Sequence, residues 1–536
     1  MKKLLLLVLV CGMEMISVAQ TDTTERTLLL LDRAAIPGKI TSARRKSDNN
    51  NVRGALTDYR AVLDVDSTHY IALYNTADCY YRLKKYQVAL DYLNKATATQ
   101  SFVSSDATLF YGKCYHRLGQ LDKAISYYEM YLKDISPSEP VFPETKRYIQ
   151  ECRYAKSMMA KPVNVKITNL GKEVNSRYEE YSPSVTADGN ALYFTSRRAN
   201  TTGGRVDENS DFKFYEDIYF SVKDKNGKWS EAEKVEGKVN TETHDGILSI
   251  TPDGKAMYVY KNDGKVAGDI YYSKWDENMQ KFTASEPLLF PINTKRFESS
   301  TSITEDGQFL YFVSEREKGL GRGDIYVSEK KNGIWTEPKN LGPIINTTGD
   351  EKFVFVHPNG KSIFFASNGH LSLGGYDLFR SEFINGSWTA PMNLGYPINT
   401  VNEESTMSIT RDSKLMYLSA EFADSYGERD LYQIDIANYE MASSAEALYQ
   451  YIEVEGFIHT KRGKGVKGIE VYWMDEYGVE VAKATTDKDG LAKTQIIANR
   501  SYQIEIRDGN KSLHSNMKTI NAGASEVDRR LSIQLP

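Results

Sequence analysis

Cysteine is scarce in this chain of 536 residues, with four in all, at positions 11, 79, 114 and 152. A disulfide-stapled secreted scaffold is far denser in cysteine, so the fold must rest on buried apolar surface. Histidine is nearly as rare: the seven residues (69, 116, 244, 357, 370, 459 and 514) are scattered at no ligand-like spacing. There is no Cys-x-x-Cys, His-Glu-x-x-His, Gly-x-Ser-x-Gly or phosphate loop. Zinc, acyl-transfer and phosphoryl-transfer chemistry therefore lack a motif, and no catalytic residue, metal or cofactor is expected. The net charge is only −5, from 67 basic and 72 acidic residues. Without a concentrated basic face, nucleic acid is not an expected partner. No run past the first residues stays apolar for the length a membrane-spanning helix needs.

What is present starts with an address. Lys2 and Lys3 precede the apolar stretch Leu4–Val10, and Ser17-Val18-Ala19 stands before Gln20. This is the layout of a secretory leader, residues 1–19, cleaved after Ala19. The chain is therefore expected to be exported. Cys11 offers an alternative, a lipidated cysteine, although Val10 is larger than the small residue that usually precedes one. The other three cysteines cannot all pair with one another and read as small buried side chains. Tyrosine is abundant, 36 residues against 5 Trp and 20 Phe, which leans towards strands with one buried and one wet end.

Residues 28–160 have a helical pattern that repeats. Ala55, Ala89 and Ala124 are spaced by 34 and 35 residues, and DCYYRLKKYQVAL and KCYHRLGQLDKAI are near-copies. Ala77, Tyr80, Ala89, Leu93 and Ala96 in one copy, and Gly112, Tyr115, Ala124, Tyr128 and Tyr131 in the next, alternate small and large residues as paired helices require. This segment resembles a short tetratricopeptide (TPR) array. The resemblance implies a groove that holds a peptide or protein partner, with a passive spacer as the plainer alternative. Pro137, Pro140 and Pro143 end the array, and a further helix from Glu144 to Met159 caps it.

Residues 163–440 carry a second repeat. The aromatics Trp229, Phe282, Trp335 and Trp388 are each 53 residues apart, and so are Asn240, Asn293, Asn346 and Asn399. An earlier copy, Asn175, precedes Asn240 by 65, which fits an insertion in the polar stretch Ala199–Glu216. A turn recurs at Asp188-Gly189, Asp253-Gly254, Asp306-Gly307, Asn359-Gly360 and Asp412-Ser413, read as a two-residue hairpin. A strand-opening Asp recurs at 217, 269, 324, 377 and 430. Each unit reads as four short strands. The last lacks its fourth, while VNVKITNLGKEVNS, ahead of the first, matches the fourth-strand segments. The expectation is a five-bladed all-β propeller closed by its N-terminal strand. The units resemble the TolB-type, WD40-like repeats of bacterial envelope proteins, a likeness that says little about ligand.

One acidic residue follows each marker Asn by five positions: Glu180, Asp245, Glu298, Glu351 and Glu404. Two readings stand side by side. A ring of carboxylates at the channel mouth would bind a cation or a basic peptide end. Alternatively, each carboxylate accepts backbone N–H bonds where the chain crosses between units. Arg322-Gly323-Asp324 spells an adhesion tripeptide and Asn346-Thr347-Thr348 a glycosylation sequon, but both coincide with repeat elements.

Residues 453–536 alternate again, in VEGFIHT, GIEVYWMD, EVAKATTD, LAKTQIIA and SYQIEIRD, which predicts a small antiparallel β-sandwich. The turn pattern resembles carboxypeptidase regulatory-like, transthyretin-like domains, which implies an adaptor. The chain thus reads as multidomain: an α-helical TPR array, the propeller, then the sandwich. In that order the parts are similar to PorE-like envelope proteins of Bacteroidetes, associated with type IX secretion. The resemblance implies a periplasmic, non-catalytic scaffold held peripherally at the outer membrane, with the cell surface as the alternative side and a barrel protein or secretion complex as partner. PorE-like chains continue into an OmpA-type peptidoglycan-binding domain, whereas this sequence stops at Pro536, so peptidoglycan binding is not carried over. A glycan-binding module and a carboxylate-only glycosidase remain as alternatives. Mass spectrometry of the mature protein tests the leader: its first residue is expected to be Gln20.

Overall fold

The computed structural model describes residues 32–535, apart from 101, 209–210, 263–267, 385, 440–450, 475–479, 498–499, 510 and 521–529. The leader and Cys11 lie outside the described residues. The chain divides into two compact units, Met1–Thr145 with Val206–Lys213, and Lys146–Arg205 with Phe214–Pro536.

Among the described residues, seven helices come first: α1 (described from residue 32 to 48), α2 (Val52–Leu63), α3 (Tyr70–Arg82), α4 (Tyr86–Thr99), α5 (Ala107–Arg117), α6 (Leu121–Asp134) and α7 (Val141–Met159). Consecutive helices from α2 to α6 pack as neighbours. The period of 34 to 35 residues has a steric cause. Ala55, Ala89 and Ala124 are wholly buried where helices meet, and a Cβ on Gly112 would lie 2.5 Å from the Tyr128 ring. Cys79, Cys114 and Cys152 are buried as thiols, and burial pushes the first two up to about 12. None of the described helices is long and apolar enough to cross a membrane.

A large β-rich region follows. Five small sheets succeed one another, each built outward from an inner strand by antiparallel pairing. The first runs Glu180–Val185, Ala191–Ser196, Asp217–Val222 and Glu233–Lys234. The second, third and fourth start at His244–Ile250, Glu298–Ile303 and Glu351–Val356. The fifth uses Met407–Ile409, Leu415–Ala420 and Asp430–Asp435, and its outer strand is Lys166–Asn169, from the other end of the region. Inner strands of the first and second, second and third, third and fourth, and fifth and first sheets lie side by side. The fourth and fifth share an apolar cluster that includes Phe364, Leu378, Met416 and Ile434.

The turn between the first two strands of each unit is longer than the expected two residues. Thr186 N–H bonds the Ala191 carbonyl, which leaves Ala187–Asn190 as a four-residue loop. The longer loop is stable because Asp188 Oδ1 accepts both the Thr186 hydroxyl (2.6 Å) and the Asn190 N–H (3.1 Å). Asp253, Asp306 and Asp412 repeat the device. Gly189, at φ +75°, supplies the left-handed residue, a role taken by Ser413 in the fifth sheet.

At the C-terminal end, two sheets share one core around Val454, Val471, Trp473, Ile504 and Leu531. One pair departs from the antiparallel expectation: Arg530–Gln534 runs parallel to Tyr451–His459.

The near-copies in the helical array differ at one reversal. Lys84 holds φ +59° where Gly119 holds +69°. The left-handed region costs a side-chain-bearing residue about 1 kcal/mol. Lys84→Gly is therefore expected to stabilise the array by about 0.5–1 kcal/mol, read from its helical transition in denaturant by circular dichroism.

Candidate functional site

The marker asparagines are built into the sheets. Each side-chain amide makes both backbone bonds of one residue in a third strand, accepting its N–H and donating to its carbonyl at 2.7–3.0 Å. Asn240 serves Ile218, Asn293 Ile270, Asn346 Ile325 and Asn399 Leu378. Asn175 does the same for Leu431, in the fifth sheet. The amide thus stands in for a neighbouring strand where the chain leaves one sheet for the next. The sequon residue Asn346 is 1% exposed and fully committed to this role.

Five residues on, the acidic positions start the next sheet. The backbone N–H of Asp245 bonds the carbonyl of Glu216, and Glu298 bonds Gly268, Glu351 bonds Gly323, Glu404 bonds Tyr376 and Glu180 bonds Arg429, at 2.8–3.1 Å. In each case the acceptor belongs to the sheet before, and for Glu180 to the fifth. The carboxylates are 0–1% exposed. Each accepts the N–H and the hydroxyl of the residue four positions back: Ser176, Thr241, Thr294, Thr347 and Thr400 respectively. The five side chains thus point into the sheet boundaries and fasten the crossings.

Three of them have a cation that the sequence reading missed. Arg198 Nε lies 3.1 Å from Glu180, Lys261 pairs with Asp245, and Arg316 lies 3.8 Å from Glu298. Each cation also bonds the carbonyl just before the marker Asn, at Val174, Val239 and Ile292. The signal was a recurrent Lys or Arg 16 to 18 residues after the acid. It fails in the last two units, where the place corresponding to Arg198 is held by Gly369 and Phe422. A Cβ on Gly369 would lie 1.7 Å from Thr347 Oγ1, so no cation fits, and the His370 ring takes the Ile345 carbonyl instead.

Burial raises all five carboxyls, and the cations pull Glu180, Asp245 and Glu298 back. Without a paired cation Glu351 is pushed up to about 7, against bonds from Ser367 and Thr347. Glu404 also rises to about 7, against Thr400 and the more distant Arg429.

The adhesion-like tripeptide is structural too. Asp324 is 1% exposed and accepts the N–H groups of Leu320 and Gly321 and the amide of Asn340. At the turn ends, the first, second and fifth sheets wall a concavity of about 750 Å³, lined by Asp188, Asp253, Asp412, Arg411 and Lys223 among others. The aromatics around Lys223, Trp229 and Tyr417, are 8% and 0% exposed.

The helical array presents a different surface where α3 and α5 adjoin. Tyr74 and Tyr81 pack edge-on against Phe110, and the Tyr74 hydroxyl donates to Asp106. Asp78 and Arg82, whose side chains are 44% and 32% exposed, stand beside them. Burial raises the Asp78 carboxyl, with Arg82 and Lys113 opposing and Asp106 reinforcing. Aromatic faces bordered by both signs of charge suit peptide recognition more than chemistry.

The sequence profile of the tetratricopeptide repeat family matches residues 40–104 and 98–140. With the helix pairs above, this shows TPR repeats in the N-terminal region. No curated protein matches the chain. Among solved structures, the chain is similar to MamA, at 22% identity over 25% of this chain and 74% of that one, with a TM-score of 0.21. It is also similar to the first TPR of Spaghetti (RPAP3) bound to an HSP90 peptide, at 22% identity, 23% and 94% coverage and a TM-score of 0.21. The Arabidopsis OM64 TPR domain follows at 15% identity, 23% and 98% coverage and a TM-score of 0.21.

Glu351 gives the site a pH signature. Its folded value, about 7, lies above the ordinary 4.5. The stabilisation is therefore complete below pH 4.5 and is lost as pH rises from there through 7, by about 3 kcal/mol in all. Glu351→Gln is expected to flatten the fall in thermal midpoint between pH 5 and 8. Glu298→Gln, which strands Arg316, is expected to lower the midpoint throughout.

Proposed function

We propose that this chain is a non-catalytic, protein-binding scaffold of the bacterial cell envelope, attached to an outer-membrane complex of the type IX secretion or gliding kind. The observation that carries the reading is the TPR array, with the partly buried Tyr74 and Tyr81 and the more exposed Asp78 and Arg82 on α3. Repeats of this type bury one face and leave another for a partner. The leader-like first nineteen residues support export, and the order of parts supports the likeness to PorE-like proteins. On this reading the protein is periplasmic and peripheral to the outer membrane, with an outer-membrane barrel or secretion complex as its partner.

The five sheets are, on the same reading, the blades of a closed propeller. The support is cyclic: five equivalent N–H to carbonyl bonds run from sheet to sheet, including fifth to first, and Lys166–Asn169 completes the fifth sheet. The two-sheet C-terminal part supports the adaptor role of a regulatory-like domain. The glycan and glycosidase readings draw no such support. The aromatics beside the turn-end concavity are buried, and the repeated carboxylates are committed to backbone and hydroxyl donors.

Cross-linked affinity purification from the native envelope, with mass spectrometry, tests the proposal. Outer-membrane proteins are expected in the eluate, and Asp78→Arg on the α3 surface is expected to deplete them. Recovery of the chain alone would sink the scaffold reading.

A further inference from the structure

At its turn end, the seam between the fourth and fifth sheets departs from the repeat at four positions. Serines recur in the inner strands at 184, 249, 302 and 408. Three of them accept a backbone N–H of the sheet that follows: Ser184 from Ile250, Ser302 from Val356 and Ser408 from Val185, at 2.9–3.2 Å. The fourth sheet has Phe355 at this place, packed against the apolar cluster that the fourth and fifth sheets share. Its turn then has His357 for the usual Thr and Asn359 for the usual Asp, and the fifth turn has Ser413 for the usual Gly.

Two hydrogen bonds join the last three of these residues. The Asn359 N–H donates to His357 Nδ1 at 3.1 Å, and His357 Nε2 lies 2.9 Å from Ser413 Oγ, across the seam. A ring nitrogen that accepts carries no proton, so the imidazole is neutral and its proton sits on Nε2, which donates to Ser413. The residue is 5% exposed. Asn359 suits this state. In the other four turns the equivalent side chain is a carboxylate that accepts the Thr hydroxyl at 2.6–2.7 Å. Beside an imidazole, that carboxylate would favour the charged form. The amide of Asn359 keeps the bonds of the turn, accepting from the N–H groups of Lys361 and Ser362 at 2.9 and 3.1 Å, without the charge.

We propose that His357 is an acid-released pin. Neutral, it ties the turn of the fourth unit to Ser413 of the fifth; protonation at Nδ1 takes away the acceptor of the Asn359 N–H and opens the turn end of the seam. The charged groups on the elements around it are Lys361 in its own turn, Arg380 and Glu382 on the third strand of the sheet, and Arg411, Asp412 and Lys414 in the fifth turn. Lys361 is exposed, Arg380 pairs with Glu382 and Arg411 with Glu305, and Lys414 stands 3.7 Å from Asp412. Of these, Arg380 bears on the imidazole, and it opposes a second positive charge there. Burial holds the imidazole below its ordinary 6.5, with Asn359 and the Thr410 backbone opposing and Arg380 reinforcing. A lowered value means that the folded state takes up the proton less readily than the unfolded chain. The pin is therefore intact above pH 6.5, and stability falls as pH drops below 6.5 until it levels off beneath the folded value.

Nuclear magnetic resonance of the full chain with isotope-labelled histidine reads the ring directly. Near neutral pH the His357 nitrogens are expected to show the Nε2-protonated tautomer, and the ring to titrate below 6.5. Neither measurement needs a variant. Asn359→Asp, which puts the carboxylate of the other turns beside the ring, is expected to raise the titration by about one unit. After correction for the intrinsic rate, the Asn359 amide is expected to exchange about tenfold faster at about pH 5 than at about pH 7.5. His357→Thr, which restores the residue of the other four turns, is expected to abolish that difference. An Nδ1-protonated tautomer, a titration at or above 6.5, or an unchanged exchange response in folded His357→Thr overturns the proposal.

Discussion

One hydrogen bond, made five times, sets the frame of the β region: the backbone N–H of each repeated acid donates to the carbonyl that precedes the third strand of the sheet before. Everything local follows from keeping that bond. The marker Asn must turn the chain out of one sheet while satisfying the strand it leaves, and the Ser or Thr after it must reach forward to the acid. The carboxylate then binds back to the same residue's N–H, so the crossing is fixed at both ends. A residue repeated in every unit is accordingly best understood as part of the joint, and the five carboxylates belong there.

Fastening the joint with a carboxylate has an electrostatic consequence. Burying the group raises the free energy of its charge by several kcal/mol unless a cation or a proton compensates. The first three units use Arg198, Lys261 and Arg316. The last two cannot, because Gly369 is packed against Thr347 and Phe422 carries no charge. The same fold therefore contains ion-paired joints and, at Glu351 and Glu404, joints whose carboxyls are pushed up to about 7.

The periods of the two repeats, the strand-opening Asp and the missing fourth strand of the last unit were all legible in the sequence, since each reports a residue spacing fixed by backbone geometry. So was the acid's repetition, though not its orientation. The side chain's direction depends on a hydroxyl four residues back and a cation 16 to 18 residues ahead, pairings that exist only once strands are in register. The four-residue turn was hidden for a related reason: Asp-Gly is compatible with both loop lengths, and the Thr186 hydroxyl decides between them. The parallel pairing of Arg530–Gln534 leaves no mark in an alternating pattern, because alternation is the same in either direction.

The pairing of Lys166–Asn169 with Asp430–Asp435 has a bearing on how the molecule is made. The first of these segments precedes the second by roughly 260 residues, so it leaves any vectorial passage, from ribosome or across a membrane, well before its partner. Throughout that interval the early strand has no partner, and its open edge is a template for whatever strand is nearby. The contacts of the fifth sheet therefore close a far longer stretch of chain than the hairpins of the other sheets, which raises the entropic cost of forming it. Lys166, Lys172 and Glu173 place charge on and just after this strand, the kind of residue that discourages an open edge from pairing with another copy of the chain.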